Sequence, residues 1–272
     1  MASTDNHKIG KIRLYVSEDL AAGQNFALNK DQHHYLRNVM RCQIDDPVLI
    51  FNGRDGEWLA TISQLDKKMA LLVVQSQTRV QTPTKNSAHI PLSDIQASDI
   101  QVLFAPVKKA RLDYMVQKAT EMGASSLMPV MTHYTQKARL NYDRLKANMV
   151  EAAEQCNLLH VPALHEAMDL EQALESLSQN TASRHVVFCD EGAGPSLTPD
   201  MRKSLEDLKN QAVAILIGPE GGFSPEERRI LLARPDTLAI SLGPRILRAD
   251  TALVAALSLC QMTLGDWEAI GE

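Results

Sequence analysis

Two stretches of this chain carry residue types that could do chemistry. The first, AVAILIGPEGGFSPEE, places Gly218, Gly221 and Gly222 around Pro219 and Glu220. Glycines open backbone angles closed to other residues and let a ligand approach the main chain. A tight turn with no ligand would use the same glycines. The second, LAISLGPRILRADTA, sets Ser241, Leu242 and Gly243 before Pro244, Arg245, Ile246, Leu247, Arg248 and Asp250. Two arginines beside a glycine turn suit an anion or a partner, which a planar guanidinium can grip in a fork. A phosphate cradle is disfavoured, because no Lys-Ser or Lys-Thr follows the glycines and Glu220 would repel phosphate. The four cysteines, Cys42, Cys156, Cys189 and Cys260, form no Cys-x-x-Cys pair, and no His-Glu-x-x-His occurs. These patterns argue against a metal site and for reduced thiols.

The elements around these loops follow from their apolar runs. Each loop is preceded by a run fit for a buried strand, breaks at Gly-Pro and resumes as a helix; Ser224, Pro225 and Glu227 mark a helix start with a capping box. Ligands of α/β proteins sit at the carboxyl ends of strands, so two such units side by side imply one cleft. Upstream, DIQVLFAPV, SLMPVMT and HVVFCDE read as strands. Helices are expected over 108–125, 141–159 and 169–178. The first of these is amphipathic through Leu112, Met115, Val116, Ala119 and Met122, with Gly123 at its end. Alternating strands and helices give a parallel sheet. The last helix, Asp250 to Leu264, is apolar almost all round, which predicts burial on every side, in the core or against another chain. Nearer the N-terminus, a strand at 12–17, a short helix capped at Asn29 or Asp31 with Tyr35, Val39 and Met40 as apolar contacts, and a hairpin over Asn52-Gly53 and Asp55-Gly56 predict a small β-barrel. The expected division is a β domain over 1–78, a polar linker over 79–98 and an α/β domain over 99–272.

With 272 residues and 44% hydrophobic content the chain can bury a substantial core. It has no apolar run of ~18 residues and no apolar signal core at its start, so a cytoplasmic protein without a membrane span is expected. The net charge of −5 disfavours nucleic acid, yet the distribution is uneven. From Lys108 to Lys146 there are eight basic and three acidic side chains; from Ala147 to Ala212 there are four basic and eleven acidic. A local basic patch on an acidic protein fits selective RNA contact.

IGPEGGFS together with LGPRILRADTA resembles the two cofactor-loop motifs of the SPOUT class of RNA methyltransferases. QKATEMG (117–123), EQC (154–156) and HHYLRNVMR (33–41) resemble, more closely, the family that methylates N3 of a uridine in 16S ribosomal RNA of the small subunit. The resemblance implies a trefoil-knotted parallel α/β sheet preceded by a PUA-like barrel, a homodimer packed through the last helix around Leu253, Leu257 and Leu264, and S-adenosyl-L-methionine as cofactor. It implies cofactor binding by Leu216, Gly218, Pro219, Glu220, Gly221, Gly222, Ser241, Leu242, Gly243, Arg245, Ile246 and Leu247. Arg248 is the catalytic candidate, with Asp250, Glu121 and Glu154 as candidate bases and water as another. Arg13, Arg37 and Arg41 in the barrel, with Lys108 and Lys118, are candidates to bind the RNA. Two positions depart from the family pattern. Ala249-Asp250 stands where threonine-glutamate is usual, and Asn157-Leu158 where glycine-arginine is usual. A different ribosomal or transfer RNA nucleotide, or an RNA-binding dimer without catalysis, are the competing readings.

Overall fold

A computed structural model describes residues 12–80, 99–136, 139–179, 183–194, 197–265 and 267. The chain forms two compact units: Met1–Thr82 with Ala153–Val161, and Pro83–Ala152 with Pro162–Glu272.

The first unit is built on β1 (Arg13–Tyr15), β2 (Asn25–Ala27), α1 (Lys30–His34), β3 (Pro47–Phe51), β4 (Glu57–Leu65) and β5 (Ala70–Arg79), with strand order β1-β3-β4-β5-β2. β3 and β4 form the expected hairpin. The Asn52 side-chain oxygen accepts N–H groups from Arg54 and Asp55, and Gly53 and Gly56 take positive φ, so the turn is satisfied internally. Leu14, Val48, Ile50, Ile62, Leu72 and Val74 fill the core. α1 starts at Asn29 with a capping box to Gln32. The residues expected to pack beneath this helix do not. A π-turn over Tyr35–Val39, closed by Met40 N–H to Tyr35 O at 2.9 Å, adds a residue to the turn and rotates its face. Leu36 is therefore buried, while Tyr35, Val39 and Met40 are exposed. β5 runs through Arg79, which pairs with Glu57, so this residue belongs to the barrel rather than to a linker. Residues 81–98 of the expected linker lie outside the described residues.

The segment Ala153–Val161, distant in sequence, belongs to this same unit. Arg13 holds it: Nη1 donates to Ala153 O at 2.8 Å, and Nη2 donates to Leu158 O. Arg79 Nη1 donates to Asn157 O, and Glu154 accepts the Tyr15 N–H. Asn157 sits at φ 58°. Asparagine tolerates that left-handed conformation, so its presence where glycine is usual preserves the turn.

The second unit contains, in order, β6 (Ile100–Phe104), α2 (Lys109–Glu121), β7 (Ser126–Met131), the first part of α3 (Tyr142–Gln155), β8 (Ala163–Leu164), β9 (Met168–Asp169), α4 (Leu170–Gln179), β10 (His185–Cys189), α5 (Pro199–Glu206), β11 (Val213–Ile217), α6 (Pro225–Ala233), β12 (Thr237–Ile240) and α7 (Ala249–Thr263). Sheet order is β12-β10-β11-β6-β7-β8, with β9 also on β7, and every pairing is parallel. β6 and β11 are buried at every residue; β11 accordingly reads as a continuous apolar run, and β6 as one interrupted only by the buried Gln101. α5, capped by Thr198 with Pro199 in its first turn, had no counterpart in the expected elements. Register aligns Cys189 with Ile240, Phe188 with Leu216, Ile217 with Phe104, and Phe104 with Pro129. The loops after β12, β10, β11, β6 and β7 therefore emerge along one edge.

Candidate active site

Along that edge lies a cavity of about 680 Å³, lined from three loops: 189–194 after β10, 217–223 after β11, and 241–247 after β12, closed by Arg228 on α6 and by Ala249 and Ala252 on α7. Its size is that of a small-molecule site. The glycines of these loops serve two different purposes. Gly194, Gly222 and Gly243 have φ of 111°, 69° and 111°, and a side-chain carbon at any of them would meet no protein atom within 4 Å. There the backbone conformation demands glycine, and the space beside it is open to a ligand. Gly218 and Gly221 are limited by neighbours instead. An added carbon would lie 2.6 Å from the Phe223 ring at Gly218, and 3.1 Å from Tyr134 Cβ at Gly221. Phe223 is itself fixed edge-on to Phe188, with centroids 5.0 Å apart.

Side chains secure each loop. Ser241 Oγ donates to Gly194 O at 2.6 Å and accepts the Gly243 N–H, tying the β12 loop to the β10 loop. Ser224 caps α6, and Glu227 returns to the Ser224 N–H while also accepting the His133 N–H at 2.7 Å. Arg111 of α2 pairs with Glu220 at 2.6 Å. Asp190 accepts the Gly192 N–H and pairs with Arg228 at 2.9 Å, a contact that raises the Arg228 pKa further above its ordinary value. Cys189 lines the cavity, and burial pushes its thiol pKa up, which favours the protonated form.

Of the residues expected to hold a cofactor, Gly218, Pro219, Glu220, Gly221, Gly222, Ser241, Leu242, Gly243, Arg245, Ile246 and Leu247 line this cavity. Leu216 does not. It is 0% exposed, packed among Leu103, Phe188 and Ala214 within β11, and the wall begins one residue later at Ile217. The β10 loop, with Asp190, Glu191, Gly192 and Gly194, was missed, although CDEGAG ends a strand in the same glycine-punctuated way.

Arg248 is the N-cap residue of α7, exposed, without a side-chain capping bond, and between Leu247 and Ala249 of the cavity wall. Asp250 lies in the first turn of α7 and accepts the Thr251 N–H. Glu121 does not join them. It ends α2, which runs back from the carboxyl end of β6, so it lies toward the opposite edge of the sheet, where Lys118 binds it at 2.6 Å. Lys118 shares that placement, whereas Lys108 starts α2 at the cavity edge. Glu154 belongs to the barrel unit.

Arg13 is unsuited to RNA. It is 7% exposed, bound to Glu57 at 2.6 Å and to two carbonyls, with its guanidinium 3.9 Å from the Phe51 ring centroid. Arg37 and Arg41, on and just after the π-turn, stand among the exposed side chains of Tyr35, Val39 and Met40. Within the basic patch of the sequence, Arg144 is taken up by pairing with Asp113; Lys137 lies outside the described residues.

A cavity built from glycine loops at one edge of a parallel sheet, in a chain that also folds a small barrel, defines a class: cofactor-dependent α/β enzymes carrying a separate β domain. The chain belongs to the RNA methyltransferase family, whose domain model matches residues 95–261, and a model of the RNA methyltransferase PUA domain matches residues 28–75. Curated relatives named ribosomal RNA small subunit methyltransferase E align over nearly the whole length. That of Rickettsia conorii is 28% identical over 90% of this chain and 93% of its own, and that of Bacillus subtilis 26% identical over 89% and 91%. Among solved structures, a Legionella pneumophila methyltransferase in complex with S-adenosylmethionine superposes with TM-score 0.76 at 25% identity, covering 94% of this chain and 98% of that one. The Neisseria gonorrhoeae small subunit methyltransferase E, also bound to S-adenosylmethionine, shares the fold at TM-score 0.72 and 22% identity, covering 94% and 99%.

Proposed function

We propose that this protein transfers a methyl group from S-adenosylmethionine to N3 of one uridine in 16S ribosomal RNA, within the small subunit. The observation that carries this is the three-loop cavity at the carboxyl ends of β10, β11 and β12, in a chain whose family and full-length relatives methylate RNA. The residues present fit the cofactor. The cavity has the required volume, and the open faces of Gly194, Gly222 and Gly243 leave main chain accessible along it. Ile217, Leu242 and Leu247 supply apolar wall, while Asp190 and Arg228 supply charge. The bound cofactor supplies a methyl group already activated by its sulfonium, so the protein's task is positioning and charge management.

Uracil N3 must lose its proton, and negative charge then develops on the ring oxygens. Arg248 stands at the N-terminus of α7, where its own charge and the helix dipole act together on that anion. Asp250, the candidate carboxylate in the helix that also lines the cavity, takes the proton directly or through water. The barrel binds the RNA through Arg37 and Arg41, and Lys108 contributes at the cavity edge. Leu253, Leu257 and Leu264, expected at a homodimer seam, are buried within the single chain and so are core residues; the homodimer of this reading uses instead the exposed side of α7, at Thr251 and Met262. The trefoil knot implied by the resemblance, and a cytoplasmic location, complete this reading.

The test is methylation of small subunits prepared from cells lacking the gene, with the product nucleoside identified by mass spectrometry. N3-methyluridine is expected. A 2′-O-methyl or carbon-linked product, or modification of transfer RNA instead, would overturn the assignment. Arg248→Ala is expected to bind S-adenosylmethionine nearly normally and to react about 100- to 1,000-fold more slowly. A collapse of cofactor affinity would make Arg248 a cofactor ligand.

A further inference from the structure

The cavity accounts for a cofactor but leaves the target base without a seat. N3 lies on the pairing edge of uracil, so a base inside a helix is masked, and enzymes acting on such atoms extrude the base and hold it against aromatic faces. We propose that Tyr134 is the stacking platform for the extruded base, an inference that rests on the RNA methylation proposed above.

Tyr134 lies in the loop after β7, on the same edge of the sheet as the cavity. Its side chain stands against Gly221 of the cavity wall, where an added carbon would come within 3.1 Å of Tyr134 Cβ, yet the residue is 48% exposed. The turn that presents it is held from several directions. Thr132 N–H donates to Thr135 Oγ1 at 3.0 Å, the two threonine hydroxyls are bonded at 2.8 Å, and Thr135 N–H returns to Thr132 O. His133 packs edge-on to the Tyr134 ring at 4.8 Å, and its N–H is bound by Glu227, the capping residue of α6. A large aromatic side chain left half in water on so fixed a turn, touching the loop that would hold the methyl donor, is arranged to receive a flat partner. The fixed turn also reduces the ordering cost of binding. Stacking tolerates loss of the phenol hydroxyl but not of the ring, which separates this role from simple packing on Gly221.

The experiment compares wild type, Tyr134→Phe and Tyr134→Leu in methylation of small subunits, with S-adenosylmethionine affinity measured by calorimetry. Leucine still covers Gly221 but offers no aromatic face. The expected result is a fall of about 10- to 100-fold in kcat/KM for RNA in the Leu variant, from the usual worth of base–aromatic stacking, with the Phe variant within about two-fold of wild type. Cofactor affinity should be unchanged in both. Full activity in the Leu variant, equal losses in Phe and Leu, or a parallel loss of cofactor affinity would each overturn the platform. An inactive wild-type protein would overturn the methylation reading itself, and the platform with it.

Discussion

The barrel and the sheet unit use the same chemical pair, an arginine and a carboxylate, to opposite ends. In the barrel, Arg13 and Glu57 are both buried; Glu57 is further bonded to the Thr78 hydroxyl, and Arg13 to carbonyls of 153–161. Burial lowers the Arg13 pKa despite the partner, so the charge is kept at some expense and is returned as a fixed connection between distant segments. In the sheet unit, Asp190 is buried but the Arg228 side chain is 42% exposed and faces the cavity. There the pair orders a loop, Gly192 lying flat beneath the guanidinium, while leaving charge within reach of a ligand. Arginine as a residue type says nothing about which role it plays; the number of protein acceptors around it does.

The largest expected effect lies on the buried side of this comparison. Arg13→Ala should destabilise the barrel by about 3–5 kcal/mol, because Glu57 is left buried without its main partner. Urea unfolding would show it. Glu57→Gln added to Arg13→Ala should recover part of the loss, and S-adenosylmethionine affinity should persist, since every residue lining the cavity belongs to the other unit.

Next comes the loop backbone itself. Gly243→Val forces a β-branched residue to φ 111° and sends its side chain into open space beside the cavity. With strain of about 1–3 kcal/mol, cofactor affinity should fall by about ten-fold or more while the folding transition is retained. Unchanged affinity by calorimetry would remove the β12 loop from the site. Arg228→Gln should act more gently. The pair is partly screened, so a cost of about 1 kcal/mol is expected, seen as an approximately five-fold weaker cofactor affinity with little change in Tm. A loss of stability as large as that of Arg13→Ala would erase the distinction between the two pairs.

The smallest effect is a pH dependence at His165, near the buried Arg184–Asp99 pair of the sheet unit. Burial, then the nearby Arg184 charge, holds the His165 pKa below its ordinary 6.5. The unfolded chain then binds the proton more readily, so this contribution is complete above about pH 6.5 and is lost as pH falls through the lower folded value. His165→Gln should flatten the fall in Tm between about pH 7 and 5 only slightly, because the His165 side chain is exposed and solvent screens its neighbours.

Local signals were legible in the chain where the physics is local. Ser224-Pro225-Glu226-Glu227 had to begin a helix, because the serine, proline and glutamate each satisfy or remove a donor of its first turn. The apolar runs of β6 and β11 had to be buried, and the glycines before α6 and α7 had to mark turns. These determined the parallel sheet, the edge on which its ligand would sit and most of the cavity wall. The packing of distant pieces was decided only in three dimensions. Nothing in Arg13 or EQCNL by itself announces that they meet. Glu121 lies in a motif that resembles the family's but is carried to the far edge by the direction of α2. Leu216 belongs to the β11 core because the wall begins one residue further on. The β10 loop joined the site because β10 pairs between β11 and β12, and strand order is set by non-local pairing that periodicity does not encode.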